Sequence, residues 1–261
     1  MLKKRLIGMV TVKNGWAVQS MGYKRYLPLG KPECLIENLD RWGVDEILVQ
    51  VIDRAMHGGG PDFVLLEKIA RLGLETPLIY GGGICTIQNG VLAIQAGADR
   101  LVVDALLHDE PSIVHGLSER LGAQAIIAVL PVARDIDRVE WLDYRTGRSS
   151  PISTEVISLI ETGAVSEILL IDWRHEGYPH AFDQGLASNF PLKNVPLIVF
   201  GGISDSIQIA ELLQMKNVVA ATVGNFLNYR EHAAQKLKEA LFDIAVRSPA
   251  YEAKYSSFSN V

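Results

Sequence analysis

The chain has 261 residues, 48% of them hydrophobic and 21% charged. That composition excludes a disordered chain, and the length suits one α/β barrel rather than two enzyme-sized domains. The net charge is −5, from 25 Lys+Arg against 30 Asp+Glu, which argues against a nucleic-acid partner. Two cysteines, Cys34 and Cys85, are too few for a disulfide framework or a cysteine-rich zinc site. A mean hydropathy of +0.16 suits a parallel sheet buried on both faces.

The start, Met1-Leu2-Lys3-Lys4-Arg5, is basic. The apolar stretch after it, Leu6–Val12, is broken by Gly8 and Thr11 and is too short for a secretory leader, so it reads as a buried first strand. No apolar run approaches a membrane span, and a cytoplasmic location is expected. Short β-branched runs then alternate with amphipathic stretches. Eight strands are predicted: Leu6–Val12, Glu46–Val51, Pro77–Tyr80, Arg100–Val103, Ala125–Leu130, Glu167–Ile171, Leu197–Phe200 and Val218–Thr222. Helices are predicted between them at Lys31–Trp42, Phe63–Leu72, Ile87–Ala96, Ser112–Leu121, Thr154–Thr162, Ile207–Met215 and Glu231–Ala245, with a shorter one inside Asp183–Asn189. Eight β-then-α units predict a closed (β/α)8 TIM barrel, a single domain. The competing open doubly wound sheet would want a dinucleotide turn after strand one, and Lys13-Asn14-Gly15 is not one.

The two halves resemble each other. Val51-Ile52-Asp53 answers Leu170-Ile171-Asp172, Gly82-Gly83-Ile84 answers Gly201-Gly202-Ile203, and Glu46-Ile47-Leu48 answers Glu167-Ile168-Leu169, all at nearly one displacement. A repeated half-barrel follows, with halves at about 1–120 and 121–245 and a tail over 246–261. Two related subsites are expected on the C-terminal face. The segment Val10–Lys31, holding Trp16, Tyr23, Lys24, Arg25 and Tyr26, reads as a long binding loop, and Asp135–Pro151 reads as a hairpin inserted after strand five.

Three constellations carry chemistry. Tyr80-Gly81-Gly82-Gly83-Ile84 ends a strand in glycines before a helix, and Phe200-Gly201-Gly202-Ile203-Ser204 repeats it; Gly224 and Asn225 follow strand eight. Such turns either bind phosphate on free N–H groups or only allow tight packing. Asp53, Asp104, Asp172 and Glu176 lie at or after strand ends, where they serve acid/base work or act as caps and ion-pair partners. Arg5, Glu46, Arg100 and Glu167 stand at the starts of strands one, two, four and six, as a plug of two ion pairs or as a polar gate. The histidines at 57, 108, 115, 175, 180 and 232 show no metal spacing, so neither metal nor cofactor is expected. Cys85 is expected as a small buried hydrophobe.

These motifs resemble the cyclase subunit of imidazole glycerol phosphate synthase. The resemblance runs from Leu2 to about Leu237. It is carried by Lys4-Arg5-Leu6-Ile7, Gly43–Leu48, Tyr80–Ile84, Gly97-Ala98-Asp99-Arg100, Gln124–Ile127, Glu167–Leu170 and Gly201-Gly202. It implies a phosphorylated ligand at the top and a glutaminase subunit docked at the bottom as a heterodimer. Ammonia would pass through a gate of Arg5, Glu46, Arg100 and Glu167, with Asp99 near the docking surface. The family's two catalytic aspartates fall on Thr11 and Pro131, its first-loop lysine on Gln19, its strand-two aspartate on Val51 and its Asn-Thr on Asp104-Ala105. Three functions follow. The first is an ammonia conduit serving a sugar amidotransferase of surface-polysaccharide synthesis, as in variant cyclase-like subunits. The second is a cyclase with acids relocated to Asp53, Asp104 or Glu176. The third is a phosphate-binding scaffold.

Overall fold

A computed structural model describes residues 3–54, 58–135, 138–229 and 232–251. Eight parallel strands close a barrel: β1 (Arg5–Lys13), β4 (Glu46–Val51), β5 (Leu78–Gly81), β6 (Arg100–Val103), β7 (Ile126–Asp135), β10 (Glu167–Asp172), β11 (Leu197–Phe200) and β12 (Val218–Val223). Closure comes from two pairings, β10 with β7 and β12 with β1. Helices α1 (Pro32–Arg41), α2 (Phe63–Ala70), α3 (Ile87–Gln95), α4 (Ala105–Asp109), α5 (Pro111–Leu121), α6 (Thr154–Glu161), α7 (Gln184–Ser188), α8 (Ser206–Gln214) and α9 (Ala233–Glu239) surround it. This is the predicted (β/α)8 barrel.

Strand periodicity of two sorts each strand into two sets. One set, including Leu6, Ile47, Val49, Leu101, Ile126, Leu130, Ile168, Leu170 and Val199, packs outward on the helices. The other, including Ile7, Met9, Leu48, Ile79, Val102, Ile127, Val129, Leu169, Ile171, Ile198, Phe200 and Ala220, fills the barrel interior. The same parity turns Arg5, Glu46, Arg100 and Glu167 inward beneath that apolar layer.

The loops at the bottom repeat one device. Asp45 N donates to Leu6 O at 2.8 Å, Asp99 N to Leu78 O at 2.8 Å and Ser166 N to Ile126 O at 3.0 Å. In the first two of these the aspartate also accepts from that same residue of the preceding barrel strand: Leu6 N on Asp45 Oδ2 and Leu78 N on Asp99 Oδ2, both at 2.7 Å.

Four predicted boundaries shift. The expected loop over 10–31 is mostly strand. β1 runs on to Lys13 and turns through Asn14 and Gly15, both at positive φ, into β2 (Trp16–Met21), which pairs with β3 (Arg25–Gly30). Two positive-φ residues make the turn whose twist matches antiparallel strands. Strand five also outruns its prediction, because its end pairs with β8 (Arg138–Asp143), and β8 pairs with β9 (Arg148–Ser150) in the expected inserted hairpin. A short α4, not predicted, follows β6. The last helix is shorter than Glu231–Ala245; the chain leaves it so that Ala245 O accepts from Lys4 N at 2.9 Å. Glu231 lies outside the described residues, as do His57, Tyr255 and Phe258. Cys85 is exposed, as is Cys34, which corrects the expectation of burial. No helix among the described residues is long and apolar enough to cross a membrane.

Candidate functional site

The bottom of the barrel axis is closed by a ring of four charges. Arg5 pairs with Glu46 at 2.9 Å and with Glu167 at 2.5 Å; Arg100 pairs with Glu167 at 2.6 Å and with Glu46 at 3.4 Å. The sign therefore alternates around a closed cycle, which is more than two separate ion pairs. Arg100 is further held by its Nε on Gln124 O at 3.0 Å and by Ser166 Oγ at 2.8 Å. Burial raises the Glu46 pKa, against the lowering pull of Arg5 and Arg100. For Arg5, burial pulls the pKa down, and the charges of Glu46 and Glu167 more than offset it. A recess of about 560 Å³ opens below, lined by Arg5, Arg100 and Glu167 of the ring together with Asp99, Gln124 and Ser166.

At the opposite end lies a cavity of about 340 Å³. Its floor is Val102, Val129, Pro131 and Ile171, and its polar wall is Lys13, Lys24, Gln50, Asp53 and Asp104, with Gly81, Gly82 and Gly83 at one side. Tyr23 and Tyr26 of the β2–β3 hairpin and Tyr144 of the inserted hairpin roof it. Lys13 Nζ sits 3.7 Å over the Tyr26 ring. Sequence reasoning missed Lys13, Gln50 and Tyr144 as site residues. The legible signal was inward parity at a strand's C-terminal end, which puts Gln50 next to the glycine turn.

The three candidate acids separate. Asp53 lines the cavity and accepts from Asn14 N at 2.7 Å, so it also fixes the β1–β2 turn. Asp104 lines it too. Its Oδ1 has no hydrogen-bond partner among the described residues, and His108 Nε2 is 3.9 Å away, on a ring stacked against Trp141. Burial pushes the Asp104 pKa up to about 8, Arg145 pulling it down and Asp143 adding to the rise. It is therefore a neutral acid at pH 7, a hydrogen-bond donor in the place where the resemblance had an asparagine. Glu176 is not among the cavity residues. Its carboxylate is buried under the β2–β3 hairpin and accepts from Ser20 Oγ at 3.0 Å and Tyr23 N at 3.2 Å. Burial raises its pKa against those bonds. Asp172 is buried as well, accepting from Asp183 N at 2.8 Å and lying 2.7 Å from His175 Nδ1.

Two expected outcomes follow here. A group whose folded-state pKa is raised stabilises the fold fully below its unfolded value, near 4, and loses that contribution as pH climbs through about 8. Asp104→Asn removes that slope. The variant should gain on wild type by on the order of 3 kcal/mol at pH 9 and little at pH 4.5, read by urea unfolding. Equal gains at both values would show that the carboxyl is ionised throughout. Glu176→Ala strips two bonds from the β2–β3 hairpin and should speed tryptic cleavage after Lys24 or Arg25 about tenfold at unchanged global stability. An unchanged cleavage rate would mean the hairpin is held elsewhere.

The glycine turns match in backbone: φ is +133° and +69° at Gly82 and Gly83, +109° and +76° at Gly201 and Gly202. A Cβ on Gly83 would meet Gly60 O, and one on Gly202 would meet Phe182 N, so both turns pack tightly on the preceding loop. Gly224 lies against the Phe200 ring, and Asn225 bonds the backbone of Ser20 through both ends of its amide. No group of three metal-ligating side chains is found among the described residues.

A closed barrel with its polar cavity at the C-terminal ends of the strands is the arrangement of a (β/α)8 enzyme or of a chain descended from one. The chain belongs to the histidine biosynthesis protein family, whose model matches residues 5–233. Within it the chain is HisF-like. It is 28% identical over 264 residues to the imidazole glycerol phosphate synthase subunit hisF2 of Vibrio vulnificus (strain YJ016), covering 99% of this chain and 96% of the relative. It is 28% identical over 234 residues to subunit hisF3 of the same strain, covering 88% and 90%. It is 27% identical over 253 residues to subunit HisF of Staphylococcus aureus (strain Newman), covering 95% and 100%.

Proposed function

We propose that this chain is a HisF-like subunit that conducts ammonia without performing the cyclisation. A glutaminase docks on the bottom around Arg5, Glu46, Asp99, Arg100 and Glu167, and ammonia crosses the barrel to an acceptor at the mouth. The observation that carries the reading is the closed four-charge ring on the axis, together with Thr11 and Pro131 at the inward strand ends where the cyclase has its two aspartates. Asp99 keeps one carboxylate oxygen bonded to Leu78 N and is itself exposed to a partner. Between ring and cavity the wall is the apolar interior layer, interrupted by the buried Thr222 hydroxyl, which has no partner among the described residues. A neutral, small molecule such as ammonia crosses an apolar wall at lower cost than ammonium or water-borne ions. The acceptor in this reading is a sugar handled by an amidotransferase of surface-polysaccharide synthesis, and the partner is that pathway's glutaminase. That one strain carries relatives named both hisF2 and hisF3 supports chains of this type beyond a single subunit per organism.

Losing a general acid or base costs about 10²–10⁴-fold, and losing both leaves little chemistry. In an assay with the ribulosyl-phosphate intermediate of histidine synthesis and saturating ammonium, no turnover is therefore expected from the folded chain. Free ammonium bypasses the glutaminase, so only the mouth is tested. A second reading, a working cyclase with relocated acids, is favoured by Asp104, a carboxyl with a pKa raised to about 8 by burial, which lines the same cavity as Asp53. Turnover at the rate of an authentic cyclase, abolished by Asp104→Asn, would establish it instead.

A further inference from the structure

We infer that the inserted β8–β9 hairpin is a lid on the barrel mouth, latched to α4 by Arg145 on Asp109 and by Trp141 on His108, and that it opens when Asp104 loses its proton. The inference concerns access to the cavity and does not depend on the conduit reading.

The hairpin is built as an arm. It grows from the end of β7, where Val132 pairs with Trp141 and Asp135 with Arg138, and its other ladder partner is its own return strand, β9. A two-stranded ribbon is marginal by itself, so side chains must fix its tip. Those that do so meet α4. Arg145 holds the Asp109 carboxylate through both Nη atoms, at 2.5 and 2.8 Å. Its Nε and its backbone N are on Asp143 Oδ1 at 3.1 and 3.0 Å, which sets the direction of the guanidinium. The His108 and Trp141 rings stack with centroids 3.6 Å apart and planes 13° apart. The same grip puts Leu142 and Tyr144 in the cavity lining.

A single proton lies between the latch and the cavity. His108 Nε2 and Asp104 Oδ1 are 3.9 Å apart, and neither has a hydrogen-bond partner among the described residues. The imidazole is bonded to the Leu142 backbone, which takes its one N–H at Nδ1 and leaves the Nε2 lone pair toward the carboxyl. Burial lowers the His108 pKa and raises that of Asp104 to about 8, so at pH 7 the ring is neutral and the carboxyl keeps its proton. Protonated, Asp104 is a donor facing a lone pair. Ionised, two acceptors and a shielded charge face each other with no donor between them. The surrounding groups offset this poorly. Asp143 adds repulsion, and Arg145 attracts but is already engaged by Asp109 and Asp143. Tyr144 and Tyr23 face Asp104 as neutral hydroxyls, their pKa values pushed up by burial, and Tyr23 donates to Gln50 Oε1 at 3.4 Å. Lys13, Lys24 and Asp53 line the same cavity, with the Lys13 cation on the Tyr26 ring. The ionised carboxylate is therefore stabilised by water, and water reaches it when the hairpin lifts from α4.

Amide hydrogen exchange of the full chain, corrected for the intrinsic rate at each pH, tests this on wild type, Asp104→Asn and Arg145→Ala. Peptides covering 138–150 are compared with peptides from β10 and β11 at pH 6.5 and pH 9. In wild type the protection of the hairpin should fall about tenfold at the higher pH, where a carboxyl titrating near 8 is mostly ionised, while β10 and β11 hold. Asp104→Asn keeps a donor toward Nε2 and carries no charge, so its hairpin should stay protected at both values. Arg145→Ala breaks the latch, and its hairpin should exchange at the faster rate at both values with the barrel strands still protected. A wild-type hairpin equally protected at the two pH values, or a fall of the same size in Asp104→Asn, would overturn release by the Asp104 proton. An Arg145→Ala hairpin as protected as that of wild type at pH 6.5 would overturn the latch. None of these readouts needs a glutaminase or a ligand.

Discussion

Lys238→Met should cost about 3–5 kcal/mol of stability, the largest effect of any single substitution considered for this chain. Lys238 Nζ donates to Asp45 Oδ1 at 2.7 Å and to Gly43 O at 2.6 Å, and the two side chains are 1% and 2% exposed. The other Asp45 oxygen accepts from Leu6 N, so this one carboxylate ties α9 to the first barrel strand. Methionine fills the stem's volume and leaves the carboxylate buried without its cation. Adding Asp45→Asn to that variant removes the stranded charge and should recover a part of the loss, about 1–2 kcal/mol. Urea unfolding of the two variants measures both numbers. A single-variant cost below about 1 kcal/mol would mean that water reaches the pair.

Arg5→Met is expected to cost about 2–4 kcal/mol near neutral pH, by leaving Glu46 and Glu167 to share Arg100. The dependence on pH separates this from a simple packing loss. Burial already raises the Glu46 pKa, and removing one of its two cations raises it further. A carboxylate with a raised folded-state pKa contributes its stability below the unfolded value and loses it as pH rises. The deficit of the variant should therefore shrink at pH 5 and widen at pH 8. Chemical denaturation at those two values reads it directly; a deficit independent of pH would mean that the ring's carboxylates are not desolvated.

Much of the barrel was legible because its signals are local. Runs such as Glu46–Val51 and Glu167–Asp172 are strand-like over their whole length, and the charges of the ring sit at strand starts whose inward parity follows from the apolar residues above them. The β1–β2 hairpin was also written in the chain, since Asn14-Gly15 between alternating residues is a strong hairpin signal, yet the length of the segment over 10–31 made it read as a loop. What stayed hidden depends on distant segments. Asp104 is buried by Tyr144 and the inserted hairpin, some forty residues on, and no local pattern announces that. Glu176 looked like a strand-end acid, but its direction is fixed by Ser20 and Tyr23 on a hairpin from the other half. The likeness of the two glycine turns was visible in the chain and recurs in their backbone angles, whereas that the upper cavity is lined by the first of them follows only from the folded loops around it.

The most direct test of the conduit is to co-express the chain with the glutaminase of the same gene neighbourhood and measure glutamine hydrolysis with and without it. The account predicts a stable one-to-one complex and stimulation of hydrolysis by about tenfold or more, lost in Arg5→Met and retained in Asp104→Asn. A cognate glutaminase that neither binds this barrel nor changes its rate in its presence would contradict the account.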